Sequence, residues 1–254
     1  MKILLTCPEC FEVDGNPLNS MFMDYLKNTE YGKYICKSGH EFYATLNSER
    51  YQILFDNAIK LFQDRDIEAA VLISYMALES FMLFLITLNL SLKTTVYKDI
   101  EDFVNKSIKY SENRKGAFLL SYYQLFGEKL EKSKIEKFAN LRNDIIHDAY
   151  LPTEKEAENH CKFIFKFIID VSNKLSEKIT EEDYNNYKGN YMSYLFEYIN
   201  FEVRQISIFV PPVIPSFHSC KNCIFETQAE QFKNSKTHIY EDPFENLIVR
   251  ALAE

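Results

Sequence analysis

The alternation of apolar and polar positions changes character twice along the chain. Up to residue 46 the apolar runs are short: Lys2-Ile3-Leu4-Leu5-Thr6, Met21-Phe22-Met23-Asp24-Tyr25-Leu26, Tyr34-Ile35 and Glu41 to Leu46. Turn-formers such as Asp14-Gly15-Asn16-Pro17 and a hairpin-like loop from Asn28 to Gly32 separate them. Together they predict a small strand-rich module over residues 1–46. From Ser48 the apolar spacing becomes three and four, the period of a helix. Ser48 to Asp66 predicts a first amphipathic helix with Ile53, Leu54, Ala58, Leu61 and Phe62 on one stripe. Ile67–Leu90 predicts a long second helix, residues 99–127 one or two shorter ones broken near Ser111-Glu112-Asn113, and Lys129–His147 another. Pro152 and Thr153-x-x-Glu156 then restart the chain as a capped helix that runs to Lys178.

After Glu181 the pattern changes again. Asp183 to Asn200 is rich in tyrosine and asparagine and reads as helical in its second half. Gln205 to Val210 reads as a strand stopped by Pro211-Pro212, and Pro243 to Leu252 as a short terminal helix. The expected fold is mainly α: a helical bundle over residues 48–178, a small β module before it, and an α/β extension over residues 179–254.

Composition narrows the chemistry. Six glycines in 254 residues leave no dinucleotide-binding Gly-x-Gly-x-x-Gly loop and no phosphate-binding Walker loop. There is no Gly-x-Ser-x-Gly elbow either. A net charge of −8 argues against a broad electrostatic footprint for nucleic acid, though a cleft around one phosphate needs only a few local cations. Residues 69–90 resemble a membrane span, with Glu79 as their one charge. A span would place that carboxylate near mid-bilayer at a cost of roughly 2.5–3.5 kcal/mol. A central bundle helix buried on most sides explains the same pattern without the cost. The N-terminus has no apolar signal core, so the expectation is a cytoplasmic protein that does not enter the membrane.

Two pairs of residues have metal-ligand spacing. Cys7-x2-Cys10 and Cys36-x3-His40 each let two side chains reach one tetrahedral ion, and the 25 residues between the pairs accommodate a hairpin. The phrase Cys36-Lys37-Ser38-Gly39-His40, with strands on either side, resembles the second knuckle of a zinc ribbon. Four protein ligands would close the site, so the zinc expected there is structural. Cys220-x2-Cys223 is half of another site. Three readings stay open: His218 and His238 complete it, the pair joins Cys7 and Cys10 in place of Cys36 and His40, or the two are unmetallated thiols in a turn. Cys161, next to His160 on an amphipathic helix, reads as packing.

The segment Arg142-Asn143-Asp144-Ile145-Ile146-His147 ends the helix that begins at Lys129. At about 100° per residue, Ile135, Phe138, Ala139, Leu141, Ile145 and Ile146 form one apolar arc with Arg142 in its middle. Asn143 and His147, four residues apart, lie together at the edge of that arc. An arginine aimed inward needs an anionic partner, and so does a carboxylate in an apolar helix need a cation. The economical expectation is that Glu79 and Arg142 meet.

The spacing Arg142-Asn143-x-x-x-His147, followed by a turn and a new helix, resembles the signature of the HEPN superfamily. The resemblance covers residues 48–178. HEPN domains are small helical bundles, many of them metal-independent ribonucleases of prokaryotic toxin and anti-phage systems. It implies an endoribonuclease acting on an RNA substrate, under restraint by a regulatory protein partner. His147 would act as general base on a ribose 2′-hydroxyl or general acid on the leaving 5′-oxygen, since an imidazole titrates near neutrality. Arg142 would stabilise the pentavalent phosphate, Asn143 would orient it or the imidazole, and Glu79 would position Arg142. One such histidine per chain implies a site shared across a homodimer, giving 2′,3′-cyclic phosphate and 5′-hydroxyl ends. Some HEPN families carry a basic residue four positions after the acid, where this chain has Leu83. That departure and the net charge favour an alternative, a non-catalytic HEPN-like dimeric scaffold. A zinc-ribbon nucleic-acid-binding protein whose bundle merely dimerises is the other.

Overall fold

The computed structural model of the chain describes residues 2–14, 21–25, 31–46, 48–94, 96–196 and 204–208. They group into two compact units, the first holding residues up to Ser48 with the strand at 204–208, the second holding residues 49–194.

In the first unit β1 (Lys2–Thr6) leads into α1 (Pro8–Asp14), followed by β2 (Met21–Tyr25), β3 (Tyr31–Ile35) and β4 (Glu41–Leu46). β1 pairs antiparallel with β2, Lys2 facing Tyr25. β3 pairs antiparallel with β4, Tyr34 facing Phe42. The runs on either side of the expected Asn28–Gly32 hairpin therefore belong to different sheets. The tight turn is the segment Cys36 to His40: Cys36 N–H donates to the His40 carbonyl, Gly39 N–H to the Cys36 carbonyl, and Gly39 takes φ +87°, which glycine adopts without penalty. Alternation along β3 buries Gly32, Tyr34 and Cys36 and exposes Lys33 and Ile35. Gly32 lies under the Tyr34 ring so closely that an added Cβ would fall 2.7 Å from it. Leu5, Cys7, Tyr34, Cys36, Phe42 and Ala44 form the buried cluster of this unit. A fifth strand, β5 (Arg204–Ile208), lies parallel to β4 with Arg204 opposite Phe42. A parallel neighbour needs a long connection, and here the whole bundle is that connection. The strand expected in the C-terminal extension thus completes the N-terminal sheet.

The second unit is helical: α2 (Arg50–Gln63), α3 (Ile67–Ser91), α4 (Tyr97–Ser107), α5 (Ser111–Phe126), α6 (Lys132–Asp148), α7 (Glu154–Lys178) and α8 (Glu181–Phe196). α3 is its axis and touches α2, α4, α5, α6 and α7. Among the described helices it alone is long and apolar enough to cross a membrane, and 67% of its apolar window is buried inside the bundle. α2 opens with a capping box between Glu49 and Gln52, one residue later than Ser48 suggested, and its inner face is built on Tyr51, Phe55, Ala58 and Ile59. The Tyr51 ring meets Phe81 edge-on at 5.0 Å. The break in residues 99–127 falls just before Ser111-Glu112-Asn113, which open α5 where an interruption was expected. α7 opens with the expected Thr153–Glu156 capping box.

The bundle does not stop at Lys178. Tyr187, Tyr191 and Tyr194 of α8 gather around Tyr97 at centroid distances of 6.3, 5.2 and 5.4 Å, and Tyr187 also meets Phe84 at 5.9 Å. Glu49 accepts hydrogen bonds from Tyr184 and Lys188, both at 3.1 Å, tying α8 to the start of α2. The expected boundary at residue 178 therefore moves to residue 194. The Cys220/Cys223 pair, His218, His238 and the helix expected from Pro243 to Leu252 lie outside the described residues.

Candidate functional site

The first candidate is the cysteine–histidine cluster. Cys7 stands at the end of β1 and Cys10 in the first turn of α1, so the first pair spans a strand-to-helix junction; Cys36 and His40 flank the β3–β4 turn. His40 Nδ1 lies 3.7, 3.3 and 3.6 Å from the Sγ atoms of Cys7, Cys10 and Cys36, and Cys10 Sγ lies 3.7 Å from Cys36 Sγ. All four ligand atoms fall within 4.8 Å of one another. A tetrahedral ion with bonds of about 2.3 Å to sulfur and about 2.0–2.1 Å to nitrogen sets S···S edges of about 3.8 Å and S···N edges of about 3.6 Å. The donor set therefore fits a four-coordinate metal ion. It is the one such group among the described residues.

The thiols are prepared unequally. Burial works against the Cys36 thiolate, but the backbone N–H groups of His40 and Ser38, with the Cys7 and Cys10 thiols, outweigh it and hold Cys36 at about 7. Burial pushes Cys7 up, against donation from the backbone of Cys10 and Glu9. Such N–H donors aimed at sulfur favour the thiolate that metal binding requires. Cys161, in contrast, is buried and pushed up to about 11 by that burial, which suits the packing role expected of it.

The second candidate is the end of α6. Here the expected pairing is not found. Glu79 Oε2 lies 3.2 Å from Nη1 of Arg114, and its Oε1 accepts from Ser111 Oγ at 2.8 Å; both partners belong to the first turn of α5. The Arg142 guanidinium instead sits over the Tyr75 ring, 5.7 Å from its centroid, and Nη1 donates to Asn143 Oδ1 at 2.9 Å. Tyr75 and Glu79 are one turn apart on α3, so α6 reaches the first and α5 the second. A π-face supplies the electron density that a carboxylate was expected to give. Glu79 is also less buried than an apolar helix implied, its side chain 21% exposed. Tyr75 is held above its usual range by burial first and then by the nearby Glu79 charge.

Arg142 and Asn143 are half-buried and His147 is exposed. Among the described residues none donates to or accepts from the His147 ring. Ala149 takes a left-handed φ of 51°, and its N–H and that of Tyr150 both donate to the Asp144 carbonyl, which ends the helix just past His147. Ile146, placed in the apolar arc, is 47% exposed, as are Tyr150 at 40% and Leu151 at 73%.

A groove of about 470 Å³ adjoins this edge of α6, lined by Lys115 of α5 and by Ser133, Glu136, Lys137, Ala139, Asn140 and Asn143 of α6. Glu136, Asn140, Asn143 and His147 follow one another at spacings of four, three and four, so they share one helical stripe. The groove-lining residues outside the motif were not anticipated. Asn140 and Lys137 were visible in the sequence as polar positions three and six residues before Asn143, but Lys115 comes from another helix. A scan against protein-family models and searches of curated proteins and of solved structures gave no match.

Proposed function

We propose that this protein is a metal-independent endoribonuclease of HEPN type, acting as a homodimer in a prokaryotic toxin or anti-phage system, with a structural zinc in its N-terminal unit. The observation that carries the reading is the polar stripe Asn140-Asn143-His147 along α6, whose first two members line a groove with Lys115, Lys137 and Glu136. A phosphate in that groove would meet two amides and the ammonium groups of Lys137 and of Lys115, the latter already paired with Glu112, beside the Glu136 carboxylate; one turn past Asn143 stands an imidazole free to approach a ribose.

The chemistry follows from those groups. A histidine acting as base takes the 2′-hydroxyl proton as O2′ attacks phosphorus. The P–O5′ bond breaks, and a second histidine, as acid, protonates the departing oxygen. Arg142, held against Tyr75 and Asn143, offers fixed positive charge to the pentavalent phosphate. One chain contributes one imidazole at this edge, so the second comes from a second copy. Exposed Ile146, Tyr150 and Leu151 beside His147 suit burial against that copy. Cys7, Cys10, Cys36 and His40 would hold the zinc. When bound it supplies folding energy to a unit whose buried cluster has, among the described residues, six members, two of them ligands.

The test is to incubate purified protein with total RNA in chelator and map the ends. Cleavage leaving 2′,3′-cyclic phosphates, lost in His147→Ala, supports the reading. A second reading, a dimeric scaffold without turnover, draws on the absence among the described residues of any group orienting His147, and on the net charge of −8. It predicts intact RNA with a dimer still formed.

A further inference from the structure

We infer that Glu9 is the positioning residue of the metal centre: the ion takes His40 through Nδ1, and the Glu9 carboxylate is the acceptor that Nε2–H faces. The inference rests on the metal-site reading and goes beyond its four ligands. The His40 ring presents its two nitrogens to different surroundings. Nδ1 faces three sulfurs at 3.3–3.7 Å, as a ligand atom does in a tetrahedral set. Nε2 faces Glu9 Oε2 at 3.6 Å, within ion-pair range. Among the described residues no other side chain hydrogen-bonds or ion-pairs with Nε2.

A ring that gives a lone pair to a metal through Nδ1 must carry its proton on Nε2, where it becomes more acidic and seeks an acceptor. A carboxylate there fixes the tautomer, locks the ring angle and raises the basicity of the ligating nitrogen. Glu9 is placed to do this by the sequence itself. It lies between Cys7 and Cys10, so the turn that fixes two sulfurs also fixes the carboxylate. Its backbone N–H already donates to Cys7. The side chain is 42% exposed, and burial of apolar surface gives no reason for its orientation.

The test is zinc affinity, measured on the full chain by competition with a chromophoric chelator, with cobalt as a spectroscopic probe. Glu9→Ala is expected to bind zinc 10- to 100-fold more weakly. Glu9→Gln, whose amide oxygen can still accept from Nε2–H, should recover part of that loss. The cobalt spectrum should keep its three-sulfur, one-nitrogen tetrahedral bands in both variants. In a His40→Cys background, which leaves no ring to orient, Glu9→Ala should cost nothing. Equal affinity for wild type and Glu9→Ala overturns the inference, as does a full-sized loss persisting in the His40→Cys background. Failure of the wild type to take zinc or cobalt would instead remove the metal site itself, and the role of Glu9 with it.

Discussion

Glu79 is held by Arg114 and Ser111, and Arg142 by Tyr75 and Asn143, which makes the energetics of this region sharply testable. The Glu79 and Arg114 side chains are 21% and 18% exposed, with Oε2 and Nη1 3.2 Å apart. At a charge separation of ~4 Å and an effective dielectric near 20, the attraction is about 4 kcal/mol. Removing two charges mostly from water offsets much of it, and the residual exposure screens the rest. We expect a coupling of about 1–2 kcal/mol in the Glu79→Ala/Arg114→Ala cycle, read by urea unfolding. The Glu79→Ala/Arg142→Ala cycle should be additive to within about 0.5 kcal/mol, while Tyr75→Ala and Arg142→Ala should couple through the lost cation–π contact. A coupling above about 1 kcal/mol between Glu79 and Arg142, with none between Glu79 and Arg114, would refute this arrangement of α3, α5 and α6.

Two further outcomes follow from the structure. His160 is 6% exposed, its Nε2 is buried without a hydrogen-bond partner among the described residues, and burial draws its pKa down to about 4. Since an unfolded histidine titrates near 6.5, the folded state binds fewer protons; stability should be full above about pH 7 and fall by about 3 kcal/mol as pH drops towards 4. His160→Leu should flatten that part of the denaturation profile, and an unchanged slope would show that another group is responsible. At the metal centre, elemental analysis should find about one zinc per chain, lost in Cys36→Ser and retained in Cys220→Ser. The reverse pattern would assign the ion to Cys7, Cys10, Cys220 and Cys223.

Features set by local chemistry were legible in the sequence. Thr153 and Glu156 cap a helix wherever they stand three apart before an apolar run, which set the start of α7, and the unbroken apolar run set the bounds of α3. The spacing of Cys7, Cys10, Cys36 and His40 marked each pair, because both carry their geometry in a single turn, while Cys220 and Cys223 remained a rival partner for the first pair. What failed was non-local. The helical wheel placed Arg142 facing inward but could not say which turn of which helix stood opposite, so Tyr75 was missed and Glu79 misassigned. Nothing in Arg204–Ile208 signals that it pairs with β4, some 160 residues earlier in the chain. The tyrosines of α8 read as composition until Tyr97 and Phe84 supplied the surface they cover.

The proposed activity turns on one proton-transferring side chain. The measurement that tests it most directly is the cleavage rate of a single RNA by folded, dimeric wild type and folded His147→Ala, in chelator and across pH. A general acid or base contributes about 10²–10⁴-fold, so the wild type should be faster by that factor, with Arg142→Ala similarly impaired. Equal rates for wild type and His147→Ala at every pH would contradict the enzyme reading and leave the helical unit as a scaffold.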